Sequence, residues 1–85
     1  MRVKLDVRDI PSSLIERVEY LWQDDDHWRM KQTGHVRVTF LNGTKYIYEN
    51  VPFMIVMNVI GAQDSIGARF SEFIKSGGYK YYKEN

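Results

Sequence analysis

Val36-Arg37-Val38-Thr39-Phe40-Leu41-Asn42-Gly43-Thr44-Lys45-Tyr46-Ile47-Tyr48 is the stretch whose reading decides the fold. Two runs that alternate apolar and polar residues flank an Asn-Gly pair, the signature of a β-hairpin. Its register has two solutions. A two-residue turn at Asn42-Gly43 sets Leu41 against Thr44 and Val38 against Ile47, and sends Tyr46 and Tyr48 to the face of Arg37 and Thr39. A three-residue loop, Leu41-Asn42-Gly43, with Gly43 in the left-handed region sets Phe40 against Thr44, Val38 against Tyr46 and Val36 against Tyr48. All five large residues then share one face, and at roughly 25 cal/mol per Å² of apolar area the second register is preferred.

Upstream, Val3, Leu5 and Val7 alternate with Lys4, Asp6 and Arg8, which predicts a strand with those three aliphatics on one face. Ile10-Pro11-Ser12-Ser13 interrupts it. From Leu14 to Trp22, Leu14, Val18, Tyr20 and Trp22 share one parity and Arg17 and Glu19 the other, so a second strand is expected, with a short helix capped by Ser13 as the competing form. Gln23 to Gly34, with Asp24, Asp25, Asp26, His27, Trp28, Arg29 and Met30, reads as an exposed loop or protruding hairpin.

Downstream the period changes. Between Val51 and Ile60, Phe53, Val56, Met57 and Ile60 fall at helical spacing, with Pro52 in the first turn, where a missing N–H costs nothing, and Gly61 as the stop. A second helix starts near Asp64 or Ser65 and places Ile66, Phe70, Phe73 and Ile74 on one face, with Arg69, Glu72 and Lys75 opposite. Gly77-Gly78 ends it, and the tail from Tyr79 alternates until Tyr82, which reads as an edge strand whose lysines discourage further pairing, or else as a nucleic-acid contact of Lys80 and Lys83 with Tyr79, Tyr81 and Tyr82. The expected architecture is α+β: an antiparallel sheet of three to five strands around the Asn-Gly hairpin, with two short C-terminal helices on one face.

Composition limits the function classes. The chain has 85 residues, no cysteine and a net charge of +1. It is a single small domain that buries only roughly 60–65% of its unfolded surface. Thiolate metal sites and Cys nucleophiles are excluded, and a cytoplasmic location without membrane association is expected. The near-zero charge argues against strong sequence-independent binding to nucleic acid.

The order of signals from Ser12-Ser13 and Tyr20 through Val36 to Phe40, Asn42-Gly43, Tyr46-Ile47-Tyr48, Val51-Pro52, Ala62, Ser65-Ile66-Gly67, Phe70 and Phe73-Ile74-Lys75 resembles the KTSC domain. That domain is named after the C-terminus of some lysyl-tRNA synthetases and also occurs as a stand-alone bacterial and phage protein. The resemblance covers residues 12 to 82, and Tyr-x-Tyr followed by Val-Pro is its most specific element. Residues 1 to 11 add an extra N-terminal strand, and residues 23 to 34 form an insertion where the family turns sharply. The resemblance implies no activity beyond RNA binding, which has been suggested for the family, and the distribution of the resembling proteins points to a phage or mobile-element accessory factor. A non-enzymatic protein is expected because no nucleophile, metal cluster or paired carboxylate of usable spacing appears in the sequence.

Two functional readings follow. The first is a phage or mobile-element protein that modulates or inhibits a host protein, with Trp28 as aromatic anchor beside Arg29 and Met30 and with Asp24, Asp25 and Asp26 steering it to a basic surface. The second is a nucleic-acid module in which Tyr46 and Tyr48 stack bases and Arg37, Lys45 and Lys80 hold phosphates. Self-association into a homodimer through exposed strand edges serves either reading. Consecutive aspartates point in different directions and lack the spaced ligands of a calcium loop, so no metal or other cofactor is expected. His27 and His35 stand in no recognisable relation to a nucleophile or acid, so no catalytic residue is assigned. Ser65-Ile66-Gly67 at a helix start is a weak signal for a phosphate held on the N-terminal amides, and capping explains it equally well.

Overall fold

The computed structural model describes residues 2–8, 10, 13–22, 33–62 and 65–84. Five strands, β1 (Arg2–Arg8), β2 (Ile15–Trp22), β3 (Thr33–Phe40), β4 (Lys45–Pro52) and β5 (Tyr81–Glu84), form one antiparallel sheet in chain order. Helix α1 (Phe53–Gly61) follows β4 directly, and α2 (Ile66–Phe70) continues as a π-helical segment over Ser71–Lys75. This is the expected α+β architecture with five strands. Thr33 and Gly34, expected in the loop, belong to β3, and residues 23–32 lie outside the described residues.

The central hairpin adopts the three-residue loop. Phe40 N–H donates to Thr44 O at 2.9 Å, Gly43 N–H donates back to Phe40 O at 2.9 Å, and Gly43 sits at φ 89°. Asn42 Oδ1 accepts from Thr44 N–H at 2.9 Å and closes the turn. Val36 faces Tyr48 and Val38 faces Tyr46, as the apolar argument requires.

Each of the first three strand pairs carries an irregularity that the period-two reading did not contain. Between Val3 and Leu5 the β1–β2 register slips by one, so Val3 pairs with Leu21 on the open face instead of joining Leu5 and Val7. Between Ile15 and Arg17 a second slip brings Ile15 into the core and leaves Leu14, expected inside, exposed. In β4, Glu49 and Asn50 occupy the space opposite His35. Asn50 takes a left-handed φ of 54° and its N–H donates to His35 Nδ1 at 3.3 Å. That bulge turns Val51 inward three residues after Tyr48, so Val51 and Pro52 finish a strand and do not begin the helix.

The core lies between one sheet face and the helices. It joins Ile15, Val18, Tyr20, Val36, Val38, Tyr48 and Val51 to Val56, Val59, Ile66, Phe70 and Ile74. The buried side of α1 is Val56 and Val59, with Met57 and Phe53 turned outward, a rotation of the buried face from the expected stripe of Phe53, Val56, Met57 and Ile60. In the second helix Ile66, Phe70 and Ile74 are buried at intervals of four. The π-helical stretch keeps that wider spacing on one side, with Phe73 partly covered. Ser65 makes no side-chain cap bond, contrary to the capping expectation, and Asp64 lies outside the described residues. Tyr20 is fully buried and its hydroxyl donates to Val51 O at 3.0 Å, tying β2 to the bulged end of β4.

Candidate functional site

The two sheet faces differ in chemistry. On the face away from the helices the side chains form an alternating chain of charge: Arg8 and Arg17 flank Asp6, Arg17 and Arg37 flank Glu19, and Arg37 continues to Glu84. Arg17 grips Asp6 with two bonds of 2.8 Å, and Arg37 Nη1 reaches both Glu19 oxygens at 3.2 Å. Arg37 Nε stands 2.9 Å from Glu84 Oε1 as an ion pair without an aligned hydrogen bond. Hydrogen bonds from Arg17 and then Arg8 hold the Asp6 carboxyl far below the ordinary carboxylate range. Burial works against the charged form of Arg37, and its pairing with Glu19 and Glu84 more than reverses this, so its affinity for the proton rises. Three cations and three anions therefore satisfy one another across β1, β2, β3 and β5.

That placement separates the residues of the nucleic-acid reading. Arg37 is committed to its carboxylates, and Lys45 stands on the same open face, across from Glu84. Tyr46 and Tyr48 belong to the opposite, helix-covered face, and Tyr48 is 4% exposed. Burial, then the neighbouring Tyr81 and Tyr46, push the Tyr48 hydroxyl pKa up. Lys80 is exposed, and its carbonyl accepts from Glu49 N–H at 2.8 Å to seat β5. The proposed stacking pair and its three cations do not converge.

A different set does converge beside Tyr46. Phe40, Tyr46, Tyr48, Tyr81, Lys75 and Ser76 line a cleft of about 330 Å³ where the helices stop short of β5. Tyr81 stacks on Tyr48 with centroids 5.2 Å apart and planes 27° off parallel, while Phe40 and Tyr81 meet Tyr46 edge-on at 5.9 and 6.1 Å. Sequence reasoning missed Lys75, Ser76 and Tyr81 as neighbours. The alternation of the tail signalled an edge strand, and only its pairing with β4 places Tyr81 over Tyr48.

The third surface lies at the other end of the sheet, where β2 stops at Trp22 and β3 begins at Thr33. Thr33 pairs with Pro52, so the start of α1 sits beside the point where residues 23–32 rejoin the sheet. Trp22 packs edge-on against Tyr20 at 6.2 Å, and Phe53 lies 5.8 Å from the same ring. From there α1 presents Phe53, Met54 and Met57 to solvent, with Met54 73% exposed. Asp24, Asp25, Asp26, His27, Trp28, Arg29 and Met30 lie outside the described residues. Among the described residues no group of three His, Asp or Glu side chains is placed to hold a metal ion, and no helix is long and apolar enough to cross a membrane. β1 and β5 are the two edges of the sheet, the elements that the self-association reading would use.

No protein-family model matches the chain, and no curated protein or solved structure matches it.

Proposed function

We propose that the chain is a non-catalytic binding protein that docks on a host protein and modulates it by occlusion. Residues 23–32, with Trp28 as anchor and Asp24, Asp25 and Asp26 steering, act together with the exposed end of α1. The observation that carries this reading is the outward Phe53, Met54 and Met57 set beside the root of that segment. Unbranched thioethers adapt to a partner's contours, and apolar side chains gathered on one helix face mark contact surfaces more often than isolated ones do. The titratable groups with shifted pKa values have structural causes: pairing for Asp6, Arg17 and Arg37, and burial for Tyr20 and Tyr48. This suits a scaffold better than a proton-transfer site. The resemblance to the KTSC domain supports a stand-alone accessory protein of a phage or mobile element.

The test is recovery of a host protein on immobilised protein, identified by mass spectrometry and re-measured with the purified partner. Trp28→Ala combined with Asp24→Ser, Asp25→Ser and Asp26→Ser is expected to lower recovery at least tenfold, since an interface hot spot is worth about 2 kcal/mol or more. Met54→Ser with Met57→Ser, which removes exposed apolar area and leaves the core untouched, is expected to lower it several-fold. Recovery unchanged in both variants overturns the assignment.

A further inference from the structure

We propose that the cleft between β4, β5 and the end of the second helix is a nucleotide subsite, which takes one base of a single-stranded nucleic acid onto Tyr81 and its flanking phosphates onto Lys75 and Lys83. This goes beyond the protein-docking reading and uses the opposite end of the sheet. Tyr81 is 59% exposed although it is an aromatic ring in a strand. One side of that ring is fixed by its stack on buried Tyr48, so the other side is a pre-ordered platform for a planar ring. The cleft volume of about 330 Å³ suits a single ring system, being at the small end for ligand pockets.

Charge selects the kind of ring. Lys75 and Ser76 line the wall of the cleft, and none of its lining residues is acidic. Lys83 is the cross-strand partner of Tyr46, so it projects from the same sheet face. It also lines a second groove of about 360 Å³ with Asn42, Gly43, Thr44, Lys45 and Glu84. The Glu84 carboxylate in that groove is already taken up by Arg37, which leaves Lys45 and Lys83 to set its sign. Tyr46 and Lys83 thus join an aromatic cleft to a cationic groove. A strand with a phosphate on either side of its base matches that sequence of surfaces, whereas a free mononucleotide would use only the cleft.

The test is fluorescence anisotropy of a short labelled oligouridylate with the full chain at low salt. Binding is expected, with affinity falling with salt at a log–log slope of about −1 to −2 for two phosphate contacts on a single strand. Tyr81→Ala is expected to weaken it roughly five- to a hundredfold, the range for loss of one stacked base. Lys75→Gln and Lys83→Gln should each weaken it and flatten the salt slope, while Arg8→Gln, an equal charge loss at the far sheet edge, should leave it unchanged. Circular dichroism of each variant confirms that the fold persists. Absence of binding, or equal binding by Tyr81→Ala and wild type, overturns the proposal. Displacement by polyglutamate as efficient as by unlabelled oligouridylate would reduce the site to bulk charge and also overturn it, and uridine monophosphate binding as tightly as the oligomer would refute the strand. None of these outcomes involves Trp28 or Met54, so failure here is distinguishable from failure of the docking reading.

Discussion

Two side chains carry more of the structure than their neighbours. Tyr20 is 0% exposed, and its hydroxyl meets the Val51 carbonyl at the point where the bulge in β4 turns the chain toward α1. Tyr20→Phe keeps the ring and removes the donor, leaving a buried carbonyl short of a partner, and should cost about 1–2 kcal/mol. Urea unfolding should show a lower midpoint at unchanged slope; an unaltered midpoint would mean that the carbonyl is satisfied elsewhere. Asp6 acts through charge. Its carboxyl titrates far below the ordinary value of 3.8, first because Arg17 and Arg8 hydrogen-bond the ionised form. A group with a depressed native pKa stabilises the fold in full above its unfolded pKa, and that contribution disappears as pH falls through the native one. Wild-type stability should therefore decline as pH drops below about 4, and Asp6→Asn, which cannot titrate, should show a shallower decline over the same window in thermal melts. Parallel pH profiles for the two proteins would remove Asp6 from the acid response.

At the level of elements, the sequence revealed what depends on local pattern and concealed what depends on one extra residue. The hairpin register was legible because one choice gathered Val36, Val38, Phe40, Tyr46 and Tyr48 on a single face, and the left-handed Gly43 confirms the turn chemistry. The bulges near Lys4, Glu16 and Asn50 were not legible, because a period-two pattern has no mark for a residue that drops out of the count. The one near Glu16 exchanged an expected core residue for its neighbour, Leu14 for Ile15, the one near Lys4 put Val3 on the open face, and the one at Asn50 brought Val51 inward. The candidate site was legible in part, since the tail's Tyr81 and Lys83 could be read as nucleic-acid contacts, whereas only pairing with β4 sets Tyr81 over Tyr48 and Lys83 beside Tyr46. Two glycines separate these influences experimentally. A Cβ on Gly34 would come within 2.6 Å of Trp22 Cδ1 and 2.7 Å of the Leu21 carbonyl, and a strand carbonyl cannot step aside. Gly34→Ala should cost about 1–3 kcal/mol and shift the Trp22 indole resonance. At Gly43 nothing lies within 4 Å and only the φ of +89° resists a side chain. Gly43→Ala should cost about 1–2 kcal/mol and leave Trp22 untouched. An equal response of Trp22 to both would contradict the steric account.

Across the whole molecule, the strand order β1-β2-β3-β4-β5 makes the sheet a meander, in which each strand pairs with its sequence neighbours and the covered core sits over β2, β3 and β4. Stability should grade outward from that core, because an edge strand has one partner and more of its surface in water. β5 is four residues long with Tyr81, Tyr82 and Lys83 exposed, and beyond its pairing with β4 it is seated by Tyr81 against Tyr48 and Tyr46, by the Glu49 N–H bond to Lys80 O, and by the Glu84 pairing with Arg37. The last of these links the final strand to the charge chain of the open face, which reaches back to β1 through Glu19, Arg17 and Asp6. Glu84→Gln breaks that link alone. A partly exposed ion pair is worth about 0.2–1 kcal/mol, so amide hydrogen exchange at β5 should accelerate by up to about fivefold while β2 and β3 keep the protection of the wild type. The direction of the effect along the chain is decisive, since acceleration shared by all five strands would mean that the sheet opens as one unit. Faster exchange confined to β5 would mean that its edge opens independently, so that the Tyr81 platform can be loosened without disturbing the opposite end of the sheet, where Thr33 pairs with Pro52 at the start of α1.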